Sequence, residues 1–172
     1  MIDKIKPSRS EKIIFIFILT LATFTITSFF LLKNKCLFVK DFDPKDFVFD
    51  RPENIVILNI DCGNVIIELY PDLSPNSVER FKTLIKSKAY DDVAFHRVVK
   101  DKLVQAGDVE FGKRNNIDYG KIGTGKSGLG TISSEVDKDF NYDAGSVALA
   151  RSQKYNTEDS QFFITLQDEP LY

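Results

Sequence analysis

The segment GKIGTGKS, Gly120–Ser127, matches G-x-x-x-x-G-K-[ST] at every fixed position. With that spacing a loop can cradle nucleotide phosphates on backbone N–H groups while a lysine reaches the terminal phosphates. The chemistry also needs a buried apolar strand leading in and a helix opening directly behind, so that the helix N-terminus faces the anion. Neither neighbour suits. RNNIDY, Arg114–Tyr119, is polar apart from Ile117 and Tyr119, where a parallel strand would be continuously apolar. Downstream, SGLGTISSE puts Gly128 and Gly130 in the first turns of any helix, at about 1 kcal/mol each against it. The expectation is a glycine-rich loop with Lys126 solvated on its rim, and no nucleotide partner. His96 is the single histidine, compatible with one base but not with a multi-histidine metal centre. Cys36 and Cys62 lie far apart and outside C-x-x-C or Cys/His ligand spacing, so neither a disulfide framework nor a zinc site is expected. No cofactor is implied.

The elements that would carry chemistry start behind an apolar segment. IIFIFILTLATFTITSFFLL, Ile13–Leu32, is uncharged and free of Gly and Pro, and at about 1.5 Å per residue it matches the roughly 30 Å hydrocarbon core of a bilayer. A cleaved signal peptide is the competing reading, but its apolar region is usually about 7–15 residues long and ends at a small-residue site, which SFFLLKNKC does not offer. The segment is therefore expected to be an uncleaved transmembrane helix. Lys4, Lys6, Arg9 and Lys12 precede it, and Lys33, Lys35, Lys40 and Lys45 follow it, so the positive-inside bias is nearly flat. A short basic tail before a first apolar helix resembles a signal anchor, which would place the rest of the chain on the non-cytoplasmic, periplasmic side.

With 172 residues, 43% apolar and 28% charged, the chain can hold one ordinary domain. Its net charge of −2 argues against a dedicated nucleic-acid partner. The organisation expected is a short basic tail over 1–12, the membrane helix over 13–32, a tether over 33–52 and a globular domain over 53–172. Within that domain, IVILNI and VIIELY are β-branched runs separated by Asp61, Cys62, Gly63 and Asn64, a hairpin signal. Ser74 and Pro75 form a cap and first-turn pair, followed by Val78, Phe81, Leu84 and Ile85 at helical spacing. AFHRVV, SVALA and QFFITL read as strands, with a glycine-rich region of seven glycines, Gly107 to Gly130, between the first two. Many short strands with one helix predict a mainly β barrel or sandwich. Asp91, Asp92, Glu158 and Asp159 read as solvated loop charges.

Three segments then stand out: FHRVVKDKLVQAGD (Phe95–Asp108), GSVALAR (Gly145–Arg151) and SQFFI (Ser160–Ile164). Their order and spacing closely resemble the cyclophilins, prolyl isomerases built on a closed β-barrel capped by helices. LSPNSVERFKTLIKSKAY and GTGKSGLGTISSE look like that family too, and the resemblance covers roughly residues 53–172. It implies rotation about X-Pro bonds in proline-containing polypeptides during protein folding. By resemblance, Arg97 is the arginine that serves the proline amide and Gln105 the glutamine that holds the geometry around it. Leu103 and Phe163 correspond to residues packing on the proline ring, and Ala150 and Arg151 to substrate-backbone positions. Phe162 is expected in the core, since alternate strand residues face opposite sides, and His96 is expected to point away from the face used by Arg97 and to be structural.

The pattern departs in two places. Lys102 stands where the family commonly has a pocket phenylalanine, and its stem can still cover apolar surface. The sequence ends at EPLY, where cyclophilins continue through further strands and a helix, with Leu171 and Tyr172 near the far wall of the site. The expectation is a domain lacking its C-terminal strands, either a fragment or a truncated product. A non-catalytic binding module or an inactive remnant then stands beside the enzyme as an alternative.

Overall fold

The computed structural model describes residues 8–33, 36, 42–135 and 141–168. Leu171, Tyr172 and most of the basic tail and proximal tether fall outside the described residues. The chain forms two compact units, one of residues 1–49 with 57–66 and the other of 50–56 with 67–172.

In the first unit, α1 (Arg9–Lys33) opens on a capping box: the Glu11 N–H donates to Ser8 Oγ (3.2 Å) and the Ser8 N–H to Glu11 Oε2 (2.6 Å). None of its side chains is buried. The hydroxyls of Thr20, Thr23, Thr25 and Thr27 donate back to carbonyls one turn earlier, at 2.8–3.0 Å. The helix therefore presents apolar surface with its polar groups satisfied internally, which suits a bilayer or a signal sequence. Strands β1 (Ile55–Ile60) and β2 (Gly63–Glu68) pair as a hairpin whose turn end, residues 57–66, belongs to this unit. Asn59 Nδ2 donates to Asn64 Oδ1 across the turn at 2.9 Å. One sequence expectation is overturned here. Cys36 and Cys62 form a disulfide, with Cα atoms 5.0 Å apart. Their separation of 26 residues carries no local motif, and only the return of the hairpin turn to the end of α1 brings the sulfurs together.

In the second unit, α2 (Pro75–Lys86) turns Val78, Phe81 and Leu84 inward. Ser74 holds the N-cap position but makes no side-chain cap bond. The Glu135 carboxylate does that work, accepting from the Asn76 and Ser77 backbone N–H groups and from both side chains, all at 2.8 Å. A carboxylate 58 residues away in sequence is a tertiary cap, which the local Ser-Pro pair does not announce.

The second sheet is antiparallel, built from β3 (Arg97–Val99), β4 (Leu103–Ala106), β5 (Val147–Leu149) and β6 (Phe162–Thr165) in the order β3-β4-β6-β5. β4 was not among the strand runs read from the sequence, because LVQA is short and follows a charged turn. The expected closed barrel is not formed by the described residues: they make one two-stranded and one four-stranded sheet, and β3 and β5 remain edges. One face of the larger sheet packs on α2. Phe162 is 4% exposed, with its ring 5.3 Å from Phe81 and 5.5 Å from Tyr90, both edge-on. Edge-to-face pairs of this kind add about 0.5–1.5 kcal/mol each beyond area burial. The Tyr90 hydroxyl donates to the Ser160 carbonyl at 2.7 Å. Burial, and secondarily the Asp159 charge, raise its pKa far above the ordinary phenol range, with Arg80 partly opposing.

Glu158 and Asp159 are a further correction, being 5% and 3% exposed rather than solvated. Arg80 Nη1 on α2 meets Asp159 Oδ1 at 2.7 Å and donates to the Gly130 carbonyl at 2.6 Å. Glu158 accepts from Ser134 Oγ at 2.8 Å and from the Thr157 N–H at 2.9 Å. Buried carboxylates are tolerable only with such partners.

Candidate functional site

The register of the four-stranded sheet sets the site. Arg97 pairs with Gln105, Gln105 with Phe163 and Phe163 with Ala148, so the four lie in one row across the strands. Cross-strand partners share a face, and residues two apart along a strand share it too. Val99, Leu103 and Thr165 form the next row of that face. On the other side of the first row, the Ala150 N–H donates to the Gln161 carbonyl at 2.7 Å. This face is opposite the one that buries Phe162.

Side-chain hydrogen bonds connect the row. Arg97 Nη1 donates to Gln105 Oε1 at 3.3 Å, and Gln105 Nε2 donates to Gln161 Oε1 at 3.0 Å. Gln161 Nε2 in turn donates to the carbonyls of Gly123 (3.0 Å) and Gly125 (3.1 Å). The chain of donors has one consistent sense. Because both donors of Gln161 go to loop carbonyls, its oxygen faces Gln105, which turns the Gln105 oxygen toward Arg97. Arg97 is exposed, and Gln105 stands between it and the half-buried Phe163 across the row. Tyr142 backs that ring at 5.6 Å between centroids.

The structure thus brings Arg97, Gln105, Leu103, Phe163 and Ala150 onto one face. Two residues named with them stand apart. Lys102 is exposed at the β3–β4 turn, where its N–H bonds the Val99 carbonyl at 3.0 Å and Asp101 takes a φ of 59°. Arg151 folds onto its own loop, donating to the Ser152 and Gln153 carbonyls at 3.1 and 3.3 Å with its guanidinium 4.6 Å from the Tyr155 ring centre. Gln161 was not singled out in the sequence. The available signal was alternation, since it lies two residues before Phe163 on the same strand face. His96 keeps its ring beside Gly123, and among the described residues neither ring nitrogen finds a hydrogen-bond partner.

The Gly120–Ser127 loop does bind anions through its backbone, but the anions belong to the protein. The fully buried Asp108 carboxylate accepts from the N–H groups of Gly123 (2.7 Å), Gly125 (2.9 Å), Phe111 (2.8 Å) and Glu110 (3.2 Å). Burial pushes its carboxyl group up, but those N–H bonds more than offset this and hold it below the ordinary range. The Lys126 N–H donates to Glu110 Oε2 at 3.0 Å, and the Ser127 N–H to Asp159 Oδ2 at 3.0 Å, while Ser127 Oγ bonds Asp159 Oδ1. A side chain at Gly125 would land inside the Asp108 carboxylate, which explains the glycine there without a phosphate.

Comparison with known proteins identifies the family to which this sheet and helix belong. Residues 55–172 match the family model described as cyclophilin type peptidyl-prolyl cis-trans isomerase/CLD. The chain belongs to that family. It is 43% identical over 121 residues to a probable peptidyl-prolyl cis-trans isomerase of Brucella suis, covering 70% of this chain and 61% of that one. A peptidyl-prolyl cis-trans isomerase of Schizosaccharomyces pombe is 35% identical over 120 residues, covering 67% and 69%. Among solved structures, a Cryptosporidium parvum cyclophilin-type isomerase crystallised in the presence of the dipeptide Ala-Pro superposes with a TM-score of 0.53 at 28% identity, over 63% of this chain and 65% of that one. A cyclophilin from Hirschia baltica, at 20% identity and a TM-score of 0.55, covers 69% and 59% and shares the fold. The chain spans about 61% of the length of the Brucella relative.

Proposed function

We propose that this chain is a membrane-anchored peptidyl-prolyl cis-trans isomerase acting on proline-containing polypeptides during folding. The observation that carries the proposal is the Arg97–Gln105–Gln161 chain of hydrogen bonds beside Phe163 on one open sheet face. Rotation about an X-Pro amide faces a barrier of about 18–20 kcal/mol because the planar state is resonance-stabilised. As the bond twists, the nitrogen regains a lone pair and the amide loses dipole, so a donor placed at the nitrogen favours the twisted state over either planar one. Arg97 supplies that donor through the fixed planar fork of its guanidinium. Gln105 keeps the fork aimed, Phe163 and Leu103 hold the ring by apolar contact, and the backbone at Ala150 sits beside the groove. The reaction forms no covalent intermediate and moves no proton.

The length and apolar surface of α1 support an anchor, since about 37 Å of helix exceeds the roughly 30 Å of hydrocarbon. The Cys36–Cys62 disulfide supports a globular part on the oxidising, non-cytoplasmic side. Arg151 and the loop SQKYNTED that follows it resemble bacterial-type members of the family, and that reading and the boundaries 53–172 belong to the same proposal. A second reading is a non-catalytic cyclophilin-like module that only holds prolyl segments, favoured by the exposed Lys102 at the groove end. A protease-coupled assay on a prolyl peptide separates the two: acceleration that Arg97→Ala removes supports the enzyme, and a rate equal to background with retained peptide binding supports the module.

A further inference from the structure

The first unit contains one covalent feature that the isomerase reading leaves unused. Cys36 lies three residues beyond the end of α1, and Cys62 occupies the turn between β1 and β2. Along the chain, the limit between Lys33 and the start of β1 at Ile55 is about 75 Å at about 3.4 Å per residue. The cross-link replaces that path with a much shorter one. Three residues add about 10 Å, and the disulfide adds a Cα–Cα distance of 5.0 Å. Cys62 therefore cannot stand more than about 15 Å from the last turn of the helix while the bond is closed. Cys36 Sγ also lies 3.4 Å from the Asp61 carbonyl, so the turn meets the cross-link at Asp61 as well as at Cys62.

We infer that the Cys36–Cys62 bond is a strap that fixes the β1–β2 hairpin at the membrane surface and sets the reach of the chain beyond it. The inference rests on the reading of α1 as an anchor. Closure is an oxidation: two thiols lose two protons and two electrons as the S–S bond forms, and a thiol-oxidising protein disulfide accepts the electrons and is reduced to a dithiol. A dithiol reductant on the same side reverses the step and frees the tether. The device needs no contact with the groove, so the strap alters which substrates are within reach and leaves turnover of a short soluble peptide unchanged.

The test uses the full chain in lipid vesicles, with a fluorescent amino acid in place of Asn59 and acceptor dyes on the lipid headgroups. In the oxidised protein energy transfer is high. Reduction, or Cys36→Ser, is expected to lower it by about half or more, as the covalent limit on residue 59 rises from about 25 Å, by way of the cross-link, to about 90 Å along the chain. Alkylation of the otherwise unaltered chain provides a second measurement: neither cysteine is modified before reduction and both are modified after it. Recovery of the chain in the soluble fraction overturns the strap together with the anchor. A vesicle-bound chain with two alkylatable thiols, or with energy transfer indifferent to reduction, overturns the strap alone and leaves the anchor and the isomerase standing.

Discussion

Asp108→Asn is the substitution whose effect follows most directly from the geometry. The carboxylate is fully buried and accepts four backbone N–H bonds, two on each oxygen: one oxygen takes those of Glu110 and Phe111, the other those of Gly123 and Gly125 in the glycine-rich loop. An amide of the same shape keeps one oxygen and turns an NH2 group toward the other two N–H donors. Two charge-assisted bonds are lost, and two buried donors face a donor. With each such bond contributing about 1.5–3 kcal/mol and some relaxation of the loop, the loss is about 3 kcal/mol. That is a large share of the roughly 5–15 kcal/mol that holds a domain together. The chain has no tryptophan, so unfolding is best followed in urea by the near-ultraviolet dichroism of its tyrosines, in detergent. With a slope of about 1–2 kcal/mol/M the midpoint falls by about 2 M. Glu110→Gln is the control, since Glu110 is exposed and, among the described residues, its carboxylate accepts the single Lys126 N–H, and its effect stays below about 0.5 kcal/mol. A loss for Asp108→Asn no larger than the control's would refute the assignment of the loop's N–H groups to this carboxylate.

Gly107 has a φ of +88°, and a Cβ there would stand 2.5 Å from the Ser160 carbonyl oxygen; Gly107→Ala is expected to cost at least about 2 kcal/mol by the same titration, and a neutral result contradicts the packing of β4 on the 158–161 segment. Gln161→Ala leaves both loop carbonyls and Gln105 without their partner, so kcat/KM is expected to fall about tenfold while stability falls by only about 1 kcal/mol. Glu135 and Asp108 are both held below their ordinary carboxyl range, in each case because N–H bonds more than offset burial. A lowered folded-state value means that the stability they contribute is present above about pH 4 and is lost as pH falls further, where the unfolded chain binds protons first. In acid titrations of stability, Glu135→Gln is therefore expected to lower the plateau near neutrality and to flatten the decline below pH 4; a decline as steep as the parent's counts against the Glu135 cap.

Much of the site was legible because its spacing is local. Arg97 and Gln105 sit on the two arms of a hairpin closed at Lys102, and Phe162 and Phe163 alternate on one strand, so strand periodicity alone separates the core ring from the groove ring. What the sequence concealed depends on distant returns of the chain. Glu135 caps α2, Asp159 reaches Arg80, and Cys36 reaches Cys62, and in each case the partner is 26 or more residues away with no motif between them. The glycine loop was misleading for a different reason. Its backbone does coordinate carboxylates, the task its pattern suggests, but Asp108, Glu110 and Asp159 are supplied from within the fold. Arg151 resembles the family at its position and Lys102 departs from it, yet a side chain's placement depends on the turn that carries it: Arg151 folds onto its own loop and Lys102 is exposed at the β3–β4 turn.

The central claim is that the Arg97 guanidinium, aimed by Gln105, accelerates rotation about a prolyl amide. Two-dimensional exchange spectroscopy on an Ala-Pro peptide reads that rotation at equilibrium, without a coupled protease. With the detergent-solubilised full chain, the cis and trans resonances are expected to exchange far above the uncatalysed rate, which corresponds to tens to hundreds of seconds. Arg97→Ala is expected to remove about 10²- to 10³-fold of the acceleration at unchanged fold, with Arg97→Lys recovering only a small part because one point charge does not replace the fork. Exchange in the folded parent chain no faster than peptide alone, or acceleration undiminished in Arg97→Ala, would contradict the account.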